Sequence, residues 1–263
     1  MEFQGLENGE FLFFEDKINP KDVPGGPRHF HNMLELYFME RGSCHYFIDD
    51  KLYRVAEGDL VLIPEGILHK TRYEGGERRR RLVYCSRHFA PPDMDLSPLP
   101  YLYRNSALTP RIRQLLEEVK HEFDHPDAFS KEVLRRQMHL LFYLLIRNAQ
   151  SCASVQPSTL YTEQTIACIK EQYASDLTLT ELAKQMGISP EHLSRVFKRE
   201  TGFGFSEYLT TVRLQKAEQL LKADPSRRVA EVAFACGFND SNYFSHKFKQ
   251  IYGFPPGKLR AKC

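Results

Sequence analysis

The chain has 263 residues, enough for two ordinary domains, and its 42% hydrophobic and 27% charged residues are those of a soluble globular protein, not a fibrous or disordered one. A formal net charge of +2 says little about partners by itself. The charge is unevenly placed: residues 160–263 carry 15 basic and 11 acidic side chains, whereas residues 1–159 carry 21 and 23. A basic half joined to a slightly acidic one suits a nucleic-acid binder fused to something else.

The start of the chain holds Glu2, Glu7 and Glu10, not a basic and then apolar leader, so no signal peptide is expected. From about Glu10 to Phe89 the texture is that of short strands. Leu34 to Glu40 and Ser43 to Ile48 are separated by Arg41-Gly42, and Asp49-Asp50-Lys51 turns into Leu52 to Ala56. Gly58-Asp59 precedes Leu60 to Ile63, Pro64-Glu65-Gly66 follows, and Leu68 to Tyr73 and Arg81 to Ser86 complete the series. Such spacing predicts a sandwich or barrel. The run Arg78-Arg79-Arg80-Arg81 after Gly75-Gly76 reads as a solvated hairpin turn; capture of an anion, with help from Arg28 and Arg72, is the alternative.

Residues 90–105 are proline-rich and aperiodic and read as a connector. Leu108, Ile112, Leu115, Leu116, Val119 and Phe123 then share one helical face. After a break at Asp124-His125-Pro126-Asp127, a second helix runs from about Ser130 to Asn148. It is apolar almost all round from Leu140 to Ile146, so it needs partners on more than one side, yet it is too short to span a bilayer. Residues 149–159 are small and polar and read as an interdomain linker.

Two similar units follow. Leu179, Leu182, Ala183, the turn Gly187-Ile188-Ser189, then Leu193, Val196 and Phe197 make one. Val229, Val232, Ala233, the turn Gly237-Phe238-Asn239, then Phe244 and Phe248 make the other. Each reads as a helix-turn-helix, whose second helix can enter a DNA major groove. Thr178 with Glu181 has capping-box spacing, and Ser189 before Pro190 is a second start signal. Away from the apolar side, the first unit presents Glu191, Ser194, Arg195 and Lys198, and the second presents Asn242, Ser245, His246 and Lys249. Arginine suits guanine, glutamate suits cytosine and asparagine suits adenine. The helix from Phe205 to Lys222 between them spans roughly 27 Å, near one duplex turn.

Residues 163–262 resemble the DNA-binding region of AraC/XylS-type transcription regulators. The resemblance rests on Leu182-Ala183, Ser189, Leu193-Ser194-Arg195-Val196-Phe197-Lys198, Gly202, Tyr208-Leu209, Arg213-Leu214, Ala217 and Leu220-Leu221. It continues through Val232-Ala233, Gly237-Phe238, Tyr243-Phe244, Phe248-Lys249, Gly253, Pro255 and Arg260. It implies seven helices, two of them reading DNA, and regulation of nearby promoters through RNA polymerase. Family members often carry arginine where this chain has His246, so a weaker or pH-dependent contact is expected there.

The stretch from His29 to His69 resembles a cupin barrel. In metal-binding cupins a His-x-His, a glutamate and a later histidine converge inside the barrel; here these are His29, His31, Glu35 and His69. Such donors suit Fe, Mn, Ni or Zn. Regulatory cupins of this kind also hold an organic effector without metal, and the expected pocket is then His29, His31, Glu35, Tyr37, Tyr46 and His69. The helices at 106–148 resemble the dimerising pair of the arabinose-type regulators and would also cover one face of the barrel.

The expected fold is α+β with two domains: a cupin-like β-barrel sensor at 1–105 with a helical dimerisation and packing segment at 106–150, a linker at 151–160, and an all-α domain at 161–263 with two helix-turn-helix units. The expected function is that of a non-enzymatic, cytoplasmic, dimeric regulator. Its partners are double-stranded DNA, RNA polymerase and a sugar-like effector; no membrane is involved, and no cofactor is required beyond an optional divalent metal. Two alternatives stay open: a metal-dependent cupin enzyme that autoregulates its gene, and a DNA-binding protein with no effector. The six cysteines show neither metal nor redox spacing and read as reduced thiols.

Overall fold

The computed structural model describes residues 10–19, 31, 33–73, 76–149 and 158–261. The chain divides into two compact units, residues 1–156 and 157–263. Most of the expected linker, His29 and Arg28 lie outside the described residues.

The first unit is built on antiparallel strands: β1 (Leu12–Asn19), β2 (Leu34–Arg41), β3 (Ser43–Ile48), β4 (Lys51–Ala56), β5 (Leu60–Ile63), β6 (His69–Arg72), β7 (Arg78–Cys85) and β8 (Leu102–Tyr103). They form a five-stranded sheet ordered β1-β7-β2-β5-β8 and a three-stranded sheet ordered β4-β3-β6. Alternation along β2 explains both layers of the core. Leu34, Leu36 and Phe38 turn outward into a cluster with α1 (Thr109–Asp124) and α2 (Ser130–Arg147). Tyr37 and Met39 turn inward to meet Cys44, Tyr46, Ile48 and Val55 of the smaller sheet. Because β2 is covered on both faces, it reads as a continuous apolar strand broken by one buried acid, Glu35. Ile112, Leu115, Leu116 and Val119 of α1 and Leu134, Met138, Leu141, Phe142 and Leu145 of α2 fill the outer cluster.

The structure corrects three sequence readings. The connector at 90–105 contains β8, which pairs with β5. A strand precedes those recognised, since β1 pairs along its whole length with β7. The arginine run is no turn: β7 begins at Arg78, and Arg78 and Arg81 are 1% and 2% exposed. Opposing charge makes the burial of Arg81 tolerable. Arg79 forms a bidentate pair with Asp16 at 2.9 and 2.6 Å, and Arg80 donates to Glu15 at 2.9 Å. Arg81 donates to Glu117 and to the Arg113 carbonyl of α1, and Arg113 in turn donates to Glu40 at 2.8 Å. Arg78 lies 3.7 Å from the centre of the Tyr73 ring. Gly42, at φ 90°, allows this packing, because a Cβ there would come within 3.1 Å of the Arg78 Cβ.

The second unit contains α3 (Leu160–Gln172), α4 (Leu179–Gln185), α5 (Pro190–Thr201), α6 (Phe205–Ala223), α7 (Val229–Ala235) and α8 (Ser241–Tyr252), with a 3-10 turn at Pro256–Ala261. The seven helices implied by resemblance are six α-helices and this terminal turn among the described residues. The starts are capped as their sequences require. The side chain of Thr178 accepts from the Glu181 amide, that of Ser189 from His192, and that of Asp240 from Asn242 and Tyr243. Helix α6 is the shared spine. Its N-terminal half packs Tyr208 against Phe197 of α5 at 5.5 Å. Its C-terminal half packs Leu214, Ala217 and Leu221 against Val232, Ala233, Phe244 and Phe248. Arg213 ties the spine to the end of α3 by donating to the Tyr173 and Ser175 carbonyls at 2.6 and 2.8 Å. Gly237 is obligatory in the second turn: φ is 83°, and a Cβ would meet Ala174 backbone atoms at 2.9 Å.

Candidate functional site

Two helix faces and one buried cluster carry the chemistry. On α5 the apolar face, Leu193, Val196 and Phe197, is buried, and this aims Glu191, Ser194, Arg195 and Lys198 outward; all four are exposed. On α8 the burial of Phe244 and Phe248 leaves Asn242, His246 and Lys249 exposed and Ser245 half-buried. The two sets have identical internal spacing, so each helix presents an equivalent polar stripe. The side chains of Arg195, Lys198, His246 and Lys249 make no hydrogen bond or ion pair among the described residues. They are available for phosphates and base edges. With 19 residues, α6 is roughly 28 Å long and holds both second helices in one packed unit. Tyr243, part of the family resemblance but not among the expected DNA-contacting residues, is 49% exposed at the start of α8 beside Lys247.

Inside the first unit, β2, β3, β6 and β7 bring side chains together around Glu35. Its Oε2 lies 3.1 Å from Nε2 of His31 and 3.1 Å from Nε2 of His69. Its other oxygen accepts from the Tyr46 hydroxyl. Tyr37 stands edge-on to Tyr46 at 5.3 Å and accepts from the Cys44 thiol, so it borders the cluster without touching Glu35. Tyr84 is a member that the sequence did not reveal. It faces Glu35 across the β2–β7 register and packs edge-on to His31 at 5.2 Å. Burial raises the Glu35 pKa, but the two imidazoles outweigh it and hold the carboxyl well below its ordinary range. Burial, then the Glu35 charge, pushes the Tyr46 and Tyr84 phenols up, so they stay protonated and donate.

The tautomers follow from the partners. Nδ1 of His31 faces the Met33 carbonyl at 3.0 Å and Nδ1 of His69 faces the Ile67 carbonyl at 2.8 Å. A carbonyl only accepts, so both Nδ1 atoms carry hydrogen. Both Nε2 atoms then face the Glu35 carboxylate. Metal-binding histidines are commonly anchored in this way, with Nδ1–H on a carbonyl and Nε2 free to ligate. His31, Glu35 and His69 offer one atom each, all within 4.8 Å of one another. Donors about 2.1 Å from one ion sit roughly 3 Å apart at right angles, so the spacing fits.

A β-rich unit enclosing a polar cluster and a helical unit with paired helix-turn-helix elements are the layout of a two-domain regulator with a ligand-binding and a DNA-binding domain. The family comparisons agree. Residues 22–138 match the model of the AraC-like ligand binding domain, and residues 182–262 match that of a helix-turn-helix domain. The HTH-type transcriptional activator RhaS of Escherichia coli (strain SE11) is 24% identical over 247 residues, covering 89% of this chain and 87% of that protein. ToxT from Vibrio cholerae is 12% identical over 95% of this chain and 98% of its own, with a TM-score of 0.40. The C-terminal domain of AraT from Geobacillus stearothermophilus is 30% identical over 41% of this chain and 89% of its own, at a TM-score of 0.39. The chain belongs to the AraC/XylS family of transcription regulators. Among the described residues no helix is long and apolar enough to cross a membrane.

Proposed function

We propose that this regulator binds promoter DNA through α5 and α8 together, and that a small polyhydroxylated effector held in the barrel controls promoter occupancy. The DNA reading is carried by one observation: two equivalent polar stripes, free of internal partners, on helices fixed to one spine. Arg195 and Glu191 read bases in one groove, Asn242 and His246 in the next, while Lys198 and Lys249 hold phosphates.

The effector reading rests on the Glu35 cluster. Phenol donors at Tyr46 and Tyr84 and a carboxylate acceptor are suited to hydroxyl groups, and His29 would complete the set. The same donors suit a divalent metal, with His31, Glu35 and His69 as ligands; such an ion would polarise a coordinated hydroxyl. The site binds its ligand and does not turn it over.

Helix α2 leaves Leu140, Tyr143 and Ile146 40%, 53% and 37% exposed beside its buried face. Two copies pair there, so that paired half-sites are bound with a raised effective concentration. In domain terms, residues 1–105 sense, 106–150 pair, 151–160 link and 161–263 read. The protein acts in the cytoplasm, where it activates by contacting RNA polymerase.

The test is promoter binding by the full chain, followed by fluorescence anisotropy, with ligands first selected by thermal shift. A selected ligand changes apparent affinity in the wild type and loses that effect in Tyr46→Phe/Tyr84→Phe. Ligand binding that leaves DNA affinity unchanged would contradict the proposal. Metal content measured by mass spectrometry after expression in supplemented medium decides between the two uses of the cluster.

A further inference from the structure

The inward face of β7 has a second charged end. Along β7, Arg79, Arg81, Val83 and Cys85 face α1 and α2 or the strand edge, whereas Arg78, Arg80, Leu82 and Tyr84 face inward. The β2–β7 register places Tyr84 opposite Glu35 and Arg80 opposite Met39, four residues further along. At strand rise that is about 13 Å, with Tyr37 and Leu82 between the two ends.

Arg80 is the informative side chain. It is 13% exposed and lies 5.8 Å from the Tyr37 ring centre. One Nη2 donates to Glu15. Its Nε and Nη1 are buried and have no hydrogen-bond partner among the described residues. A guanidinium offers five fixed donors and keeps its charge, so burying two nitrogens unpaired costs stability that packing alone does not return. Among the described residues, Glu15 is the one carboxylate paired with Arg80. The other surroundings are Tyr37, Tyr73 beside Arg78, and the Cys44 thiol, which burial pushes up to about 12 and so keeps neutral. Buried donors of this fork geometry match the two oxygens of a carboxylate or phosphate.

We infer that Arg80, with Arg78 beside it, is an oxyanion subsite inside the barrel, and that the physiological effector carries a carboxylate or phosphate group there. Glu15 holds the guanidinium in the absence of ligand and competes with it. The inference rests on the proposed effector role of the lumen for its meaning, but the site can be tested alone. Outward-facing Arg81 of the same strand pairs with Glu117 of α1, so ligand drawn onto Arg80 pulls on a strand that α1 also grips.

The experiment is thermal denaturation of the full chain in sodium chloride, sodium phosphate and sodium succinate at one ionic strength. The variants are Arg80→Met, Arg80→Lys and Glu15→Gln. General salt effects act on all four proteins alike, so only differences between them count. The wild type should gain melting temperature in phosphate or succinate, and the responding salt identifies the group. Arg80→Met should need at least about tenfold more anion for the same gain, Arg80→Lys should fall between, and Glu15→Gln should need less. In chloride, Arg80→Met should melt no lower than the wild type. Equal gains in all four proteins, or no gain in the wild type, would overturn the subsite. If Arg80→Met does not fold, Glu15→Gln decides: a stronger response supports the subsite and an unchanged one overturns it. Oxyanion binding without any change in promoter affinity would keep the subsite and remove its effector role. Promoter control by neutral ligands alone would keep the effector role and remove the subsite.

Discussion

The two units place their working charges in opposite ways. In the reading unit Arg195, Lys198 and Lys249 stand exposed and unpaired, on helices whose other face is apolar. In the sensing unit Glu35, Arg78 and Arg81 are each no more than 2% exposed, and most of the charge is spent on other parts of the same chain. An exposed charge costs the fold almost nothing and waits for a large polyanion. A buried one must be matched within the fold, and removing its match costs stability. The reading unit should therefore lose binding but not stability when its charges are removed, and the sensing unit should lose stability first when a matched charge such as Glu35 is removed, Arg80 with its two unpaired nitrogens being the exception.

The sharpest contrast comes from Glu35→Ala, which strips two imidazoles and a phenol of their common partner. It should cost the sensing unit about 3–5 kcal/mol in chemical denaturation while leaving the reading unit's transition in place. A cost below about 1 kcal/mol would break the contrast. The pH dependence has a fixed sign. The folded-state pKa of Glu35 lies below its ordinary value of 4.5, so its contribution is complete above that value and is lost as pH falls through the lower folded value. Glu35→Gln should flatten this acid limb of a stability–pH curve.

The reading unit has its own structural weak point. Gly237→Ala forces a left-handed backbone and a backbone clash, and should cost roughly 1–3 kcal/mol, read by the second unfolding transition. Arg195→Ala should leave melting unchanged, cost about 1–3 kcal/mol in DNA binding and relax preference at one base pair. The smallest effect belongs to Lys198→Ala, which should weaken all sequences alike and lower the salt slope by about 1. A loss of stability in either of the last two would show that these side chains serve the fold and not DNA.

The same contrast explains what could be read from the sequence. Helical spacing is local: Leu193, Val196 and Phe197 dictate where Arg195 points, so the reading faces follow from the sequence alone. His31, Glu35 and Tyr46 could be nominated because residue type and spacing resemble a barrel site. Tyr84 could not, because it reaches Glu35 only through the β2–β7 register, and pairing between strands nearly 50 residues apart leaves no local mark. The arginine run failed for the same reason. Its neutralising partners Glu15, Asp16, Glu40 and Glu117 come from three other elements, so in sequence it resembled a solvated turn.

Hydroxyl-radical footprinting of the full chain on its promoter, with Lys198→Ala and Lys249→Ala beside the wild type, tests the central claim most directly. The account predicts two protected segments per reading unit, about one helical turn apart on one face of the duplex, each weakened by one of the two substitutions. A single short protected segment, or two segments that respond alike to both substitutions, would contradict it.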